Sequence, residues 1–191
     1  MRKIRGFRLA LKAPEIKRRA KKAGLDLAAL GLDDTGLQLL LSQALKTMAP
    51  GVIFETFKHP DADAAALSPI PGLAYSVIVA TLGPGFAPAR EKSREAAAET
   101  YALWGLIEAA ALDEAVRFTT SLLEEDAANE SCILSPWNCI QEPAALETVL
   151  RKLDGSKLDL RLHEGRLDPS PTVAVSLSWL AQSRTKGKKK D

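Results

Sequence analysis

Few environments suit the run Leu73-Ala74-Tyr75-Ser76-Val77-Ile78-Val79-Ala80-Thr81-Leu82, which is apolar enough to lie in the middle of a sheet. Gly83-Pro84-Gly85 stops it. A central strand needs neighbours, and three further stretches qualify. Val52 to Phe57 is β-branched and aromatic and ends before His59-Pro60, while Lys157 to His163 and Thr172 to Trp179 alternate with period two. Cys132-Ile133-Leu134 is a shorter candidate.

Helical spacing occupies the intervals. Pro14 sits in a first turn, followed by Ile16, Ala20 and Ala23 up to Gly24. Leu37 to Leu45 repeats apolar residues on one face, with Asp34 as expected N-cap and Pro50 as stop. From Pro88 to about Glu125 the pattern stays helical, with Gly105 or Asp113 as the expected division. Glu142-Pro143 opens a last helix, faced by Leu146, Val149, Leu150 and Leu153 and ended by Asp154-Gly155. Asp61 to Leu67 reads either way. This order lacks the regular strand–helix alternation of a doubly wound fold. The expected class is α/β in the α+β sense, a mainly antiparallel mixed sheet with helices packed on it.

With 191 residues and 46% apolar composition, the chain suits one domain with a sizeable core. The expected division is a basic N-terminal helix or extension at 1–24, a single domain at 25–183 and a disordered tail at 184–191. No apolar run reaches the roughly 18 residues of a membrane span, and Arg8, Lys12 and Arg18 interrupt any signal-peptide core, so cytoplasm is the expected location. Cys132 and Cys139, with six residues between them, fit neither a disulfide framework nor a zinc pair and read as ordinary thiols.

The net charge of +2 hides an asymmetry. Residues 1–24 carry ten Lys or Arg against Glu15, and residues 184–191 carry five against Asp191, leaving the body near −11. Basic ends attract polyanions, but no aromatic residue interleaves the lysines of 184–191 to stack on bases, which argues against nucleic acid.

Several chemistries lack their residues. Gly83-Pro84-Gly85 has no Gly-Lys-Ser/Thr, and Pro84 removes a backbone donor that a phosphate loop would use. His59 and His163 stand apart from each other and from the cysteines, and Glu124-Glu125-Asp126 reads as a solvated helix end.

Three segments in a fixed order are more informative. The first comprises Ala44 to Phe54 and then Val77-Ile78-Val79-Ala80-Thr81-Leu82-Gly83 ahead of the long helix; the second is Ile133-Leu134-Ser135-Pro136-Trp137-Asn138; the third is Leu167-Asp168-Pro169-Ser170-Pro171-Thr172-Val173-Ala174-Val175-Ser176. Together, over roughly residues 37–180, the succession resembles the activation domain of cobalamin-dependent methionine synthase and its small free-standing relatives. The resemblance implies a curved domain with an antiparallel sheet and S-adenosylmethionine bound along the inner surface. It also implies docking over cobalamin held by a corrinoid-binding partner, or by a methionine synthase lacking its own activation domain. The activity implied is methyl transfer from the sulfonium to cobalt(I), with the protein contributing mainly orientation.

The family's Arg-x-x-x-Gly-Tyr signature falls on Ile133, Trp137 and Asn138, so all three of its residues are replaced. Ile133 cannot offer a carboxylate the fork of donors an Arg presents. The expected cofactor-binding residues are Ser135, Pro136, Trp137 and Asn138, on a concave surface at a connection from strand to helix stiffened by Pro136. Trp137 would supply an aromatic wall and Asn138 a polar contact. Alternatives are a corrinoid-protein or ligand-binding module that has lost S-adenosylmethionine, and an unrelated interaction protein whose basic ends touch nucleic acid.

Overall fold

A computed structural model describes residues 1–95 and 97–182. In chain order it runs β1 (Arg2–Arg5), α1 (Ala13–Lys22), α2 (Asp34–Thr47), β2 (Gly51–Lys58), α3 (Ala64–Leu67), β3 (Ala74–Thr81), α4 (Phe86–Ser93), α5 (Ala98–Asn129), β4 (Cys132–Leu134), β5 (Asn138–Ile140), α6 (Pro143–Leu153), a 3-10 turn (Gly155–Leu158), β6 (Arg161–His163), β7 (Arg166–Asp168) and β8 (Thr172–Ala181). The class is mixed α+β, and the main sheet is antiparallel and strongly curled into a half-barrel. Its order is β1-β2-β3-β8-β4, with β5 also paired to β8, and β6 and β7 form a separate hairpin.

The central position expected of the Leu73–Leu82 run is the one β3 takes, between β2 and β8 with all eight residues buried. Alternate residues feed two cores. Ile78, Ala80, Phe54, Val175 and Trp179 face one cluster with the long α5, whereas Val77, Val79, Ile53 and Ala174 face another built with α6. Ser76 sits among the apolar side chains because it is paired: its Oγ accepts from Trp179 Nε1 at 2.8 Å and bonds Thr56 Oγ1 at 2.7 Å.

Four expectations need correction. Lys157 to His163 is not a core strand: Asp154 and Asp159 adopt left-handed backbone, and Leu158 and Leu160 tuck into the α6-side core. Only Arg161 to His163 is extended, in the side hairpin. The long helix divides between Ser93 and Ala98, not at Gly105 or Asp113. There α4 folds back on α5, with the Arg90 guanidinium 4.3 Å from the Tyr101 ring centre and bonded to Glu108 at 2.9 Å. Gly105 leaves room for that guanidinium, since a Cβ there would lie 3.0 Å from Arg90 Nη2. The N-cap of α2 is Asp33, accepting from Gly36 N at 2.7 Å, one residue before the one expected. Finally, the basic N-terminus contributes β1 to the sheet, paired with residues 51–54 of β2, as well as the expected helix, whose Ile16 and Ala20 are fully buried. The expected tail at 184–191 lies outside the described residues. No helix among those described is long and apolar enough to cross a membrane.

Candidate functional site

Where β1 and β3 end and β2 and β8 begin, the sheet opens into a cleft of about 540 Å³. That size is ordinary for a small-molecule site. Its base is formed by Ala49-Pro50-Gly51 ahead of β2 and by Thr81, Gly83 and Pro84 beyond β3. Gly83 is held in a turn at φ +78, donating its N–H to Thr81 Oγ1 at 3.0 Å. A side chain there would meet Ala49 at 3.0 Å, so glycine is required both by the backbone and by the close approach. Asp168-Pro169 at the end of β7 lines the cleft too, and Thr172 Oγ1 bonds Thr81 Oγ1 at 2.8 Å across the first β3–β8 rung. Thr81 and Gly83 belong to the first segment singled out in the sequence and Asp168-Pro169 to the third, so two of the three meet here.

Charge at the rim comes from residues with no sequence signal. Arg5 at the end of β1 bonds Asp159 at 3.1 Å and the Lys157 carbonyl, and Arg161 on β6 bonds Asp168 through its Nε. Sequence spacing does not single out Arg5, Asp159 or Arg161, because Arg5 lies more than 150 positions from Asp159 and only the fold brings them together.

The second segment lies elsewhere, as a connection from β4 to another strand, β5, and not from strand to helix. Ser135 is buried and its groups serve the backbone: its N–H donates to the Ser178 carbonyl and its Oγ accepts from Ser178 N, both at 2.9 Å, while that hydroxyl donates to the Pro136 carbonyl. The hydroxyl bridges a gap in pairing along β8 between β4, which covers residues 179–181, and β5, which covers 174–176. Pro136 and Asn138 are exposed, and Trp137 is half-buried against the α5-side core. Ile133 is 50% exposed on β4. None of Ser135, Pro136, Trp137 and Asn138 lines the cleft. No protein-family model matches this chain, and a search of curated proteins finds no match.

A second polar constellation lies at the far end of β3. Lys152 of α6 bonds both Asp61 carboxylate oxygens at 3.0 and 2.8 Å and Asp63 at 3.1 Å, and it lies 4.4 Å from the Phe57 ring centre. Tyr75 donates to Asp61 at 2.9 Å. The bond from Lys152 holds the Asp61 carboxyl below the usual range, helped by Tyr75 and against the effect of burial. Burial works against the Lys152 ammonium, but its bonds to Asp61 and Asp63 outweigh that and raise its pKa. Burial and then the bond to Asp61 push the Tyr75 phenol up to about 12. Every charge here has its partner, which is the pattern of a structural clamp joining α6 to the segment before α3. The sulfurs of Cys132, buried, and Cys139, exposed, are both free.

Proposed function

We propose that this protein is a cytoplasmic relative of the methionine synthase activation domain, supporting reactivation of a corrinoid held by a partner protein. One observation carries the reading: Thr81 and Gly83 on one side and Asp168-Pro169 on the other, from segments that bear the resemblance, converge on the cleft at the open end of a curled antiparallel sheet. When bound, S-adenosylmethionine supplies an electrophilic methyl group for cobalt(I) in the partner. The chain's own residues orient that donor and shield it from water, with Leu158, Pro50 and Pro169 as apolar walls and the Arg5 and Arg161 guanidiniums as its anchors. Thermal unfolding tests this: at about 100 times its dissociation constant a ligand adds about 2.7 kcal/mol, or roughly 5–10 °C in Tm for a domain this size.

A second reading, a corrinoid-protein or ligand-binding module without S-adenosylmethionine, is favoured by one specific feature. At the family's ligand segment, Ile133 replaces the charged donor and the Ser135 hydroxyl is engaged with the backbone. Under this reading a cobalamin-loaded partner stabilises the chain and S-adenosylmethionine does not. Retained nucleoside affinity after Trp137→Ala would assign the ligand to the cleft; a loss would return it to the family segment.

A further inference from the structure

We propose that the end of the sheet where β3 starts and β8 finishes docks on an anionic lipid surface. The site is separate from the cleft and independent of the function proposed for it. Among the described residues the exposed large apolar side chains are Met1, Leu39, Ile70, Leu73 and Ile133, and the last three gather around residues 178–180 of β8. Ile70 exchanges bonds with the Ser178 hydroxyl, its N–H donating at 3.2 Å and its carbonyl accepting at 2.5 Å. The Leu73 N–H donates to the Trp179 carbonyl at 2.9 Å, and Ile133 stands opposite Leu180. Apolar residues exposed singly need no explanation. These three, 42%, 60% and 50% exposed and tied to one strand end, form a fixed aliphatic edge.

Charge supplies the second argument. The Gln182 N–H donates to the Ser131 carbonyl at 3.0 Å, two residues before Ile133, so the chain leaves β8 beside this edge. The sequence continues through Arg184, Lys186, Lys188, Lys189 and Lys190, five cations against Asp191. Eight residues of chain reach at most about 28 Å, which keeps these charges close to the aliphatic edge. Lys58, opposite Ala74, is a further exposed cation at this end. Asp61 and Asp63 follow His59, whose N–H donates to the Leu73 carbonyl at 3.3 Å, but Lys152 and Arg151 already neutralise them. An aliphatic edge or a polybasic stretch alone holds a bilayer weakly; side by side they make the two signals that surface anchoring takes. A nucleic acid would use the cations but stacks on aromatic faces, and these three side chains are aliphatic.

The test is flotation of the full chain with phosphatidylcholine vesicles, with and without phosphatidylserine at about 30%. The serine-containing vesicles should bind at least tenfold more tightly, and raising salt from about 0.1 to about 0.5 M should weaken that binding severalfold. Deleting residues 184–191 should lower the affinity at least tenfold, and so should Leu73→Ser combined with Ile133→Ser. Ile133→Trp, at the same exposed position, should instead tighten binding, with tryptophan emission moving to the blue on the vesicles. No binding, equal binding to both vesicles, or serine and tryptophan variants that bind as wild type does overturns the lipid site. Tighter binding to duplex DNA at the same salt would give the cations to a nucleic acid, and self-association lost in the serine variant would give the edge to a second copy of the chain; either also overturns it.

Discussion

Replacing Ile78 by Ala tests whether β3 carries the architecture. Ile78 has no exposed surface, lies opposite Phe54 on β2 and Val175 on β8, and belongs to the core shared with α5. The substitution removes three carbons from that core. At about 0.8 kcal/mol per buried carbon the lost transfer free energy is about 2.4 kcal/mol. A cavity walled by two paired strands and a long helix collapses only in part, and the unrecovered space raises the cost toward about 4 kcal/mol. Urea unfolding of both proteins, followed by circular dichroism at unchanged slope, measures the difference directly. Ile78→Val in the same assay should cost only about 0.5–1.5 kcal/mol. A loss below about 1 kcal/mol for the alanine variant would refute a closely packed, central β3.

Ser135→Ala should cost about 1–3 kcal/mol in the same assay, because it leaves the buried Ser178 N–H without its acceptor; a neutral result would deny the hydroxyl its bridging role. Asp61, held below its ordinary pKa, stabilises the fold above about pH 4, and that contribution is lost as pH falls through its lowered value, so Asp61→Asn should flatten the acid limb of stability against pH. Tyr75 and Lys152 are both raised, so their contributions hold below about pH 10 and fade as pH climbs toward 12 and beyond; Tyr75→Phe should soften this alkaline loss, and ultraviolet titration of wild type should find a phenol ionising near 12. Deleting residues 184–191, which include no apolar side chain, should leave the unfolding midpoint unchanged, and a lower midpoint would give that segment a structural role.

The strands that the sequence shows plainly are those whose burial is written in their own residues. β3 is apolar over most of its length, β8 alternates with period two, and β2 is β-branched and aromatic, so local chemistry and tertiary position agree. The helix opened by Pro143 is legible for the same reason. β1 is not: Arg2-Lys3-Ile4-Arg5 carries three cations in four residues and becomes a strand only because the β2 edge offers pairing fifty residues away. Asp159 offers no glycine to announce its left-handed turn, so Lys157 to His163 keeps an alternation that the fold does not use. At the site, Thr81-Leu82-Gly83 and Asp168-Pro169 stand out as strand-end punctuation. The Arg5–Asp159 pair does not, because it joins residues more than 150 positions apart.

The pairing of β3 with β8 has a further consequence during synthesis. Thr81 meets Thr172, so the most apolar strand of the chain leaves the ribosome roughly ninety residues before its partner, a delay of about 5–20 s at ordinary translation rates. Through that interval β3 can pair with β2, already made, while its other edge stays open to any extended chain nearby. The nascent protein is therefore most prone to aggregate between emergence of β3 and arrival of β8, and chaperone dependence should concentrate in that window.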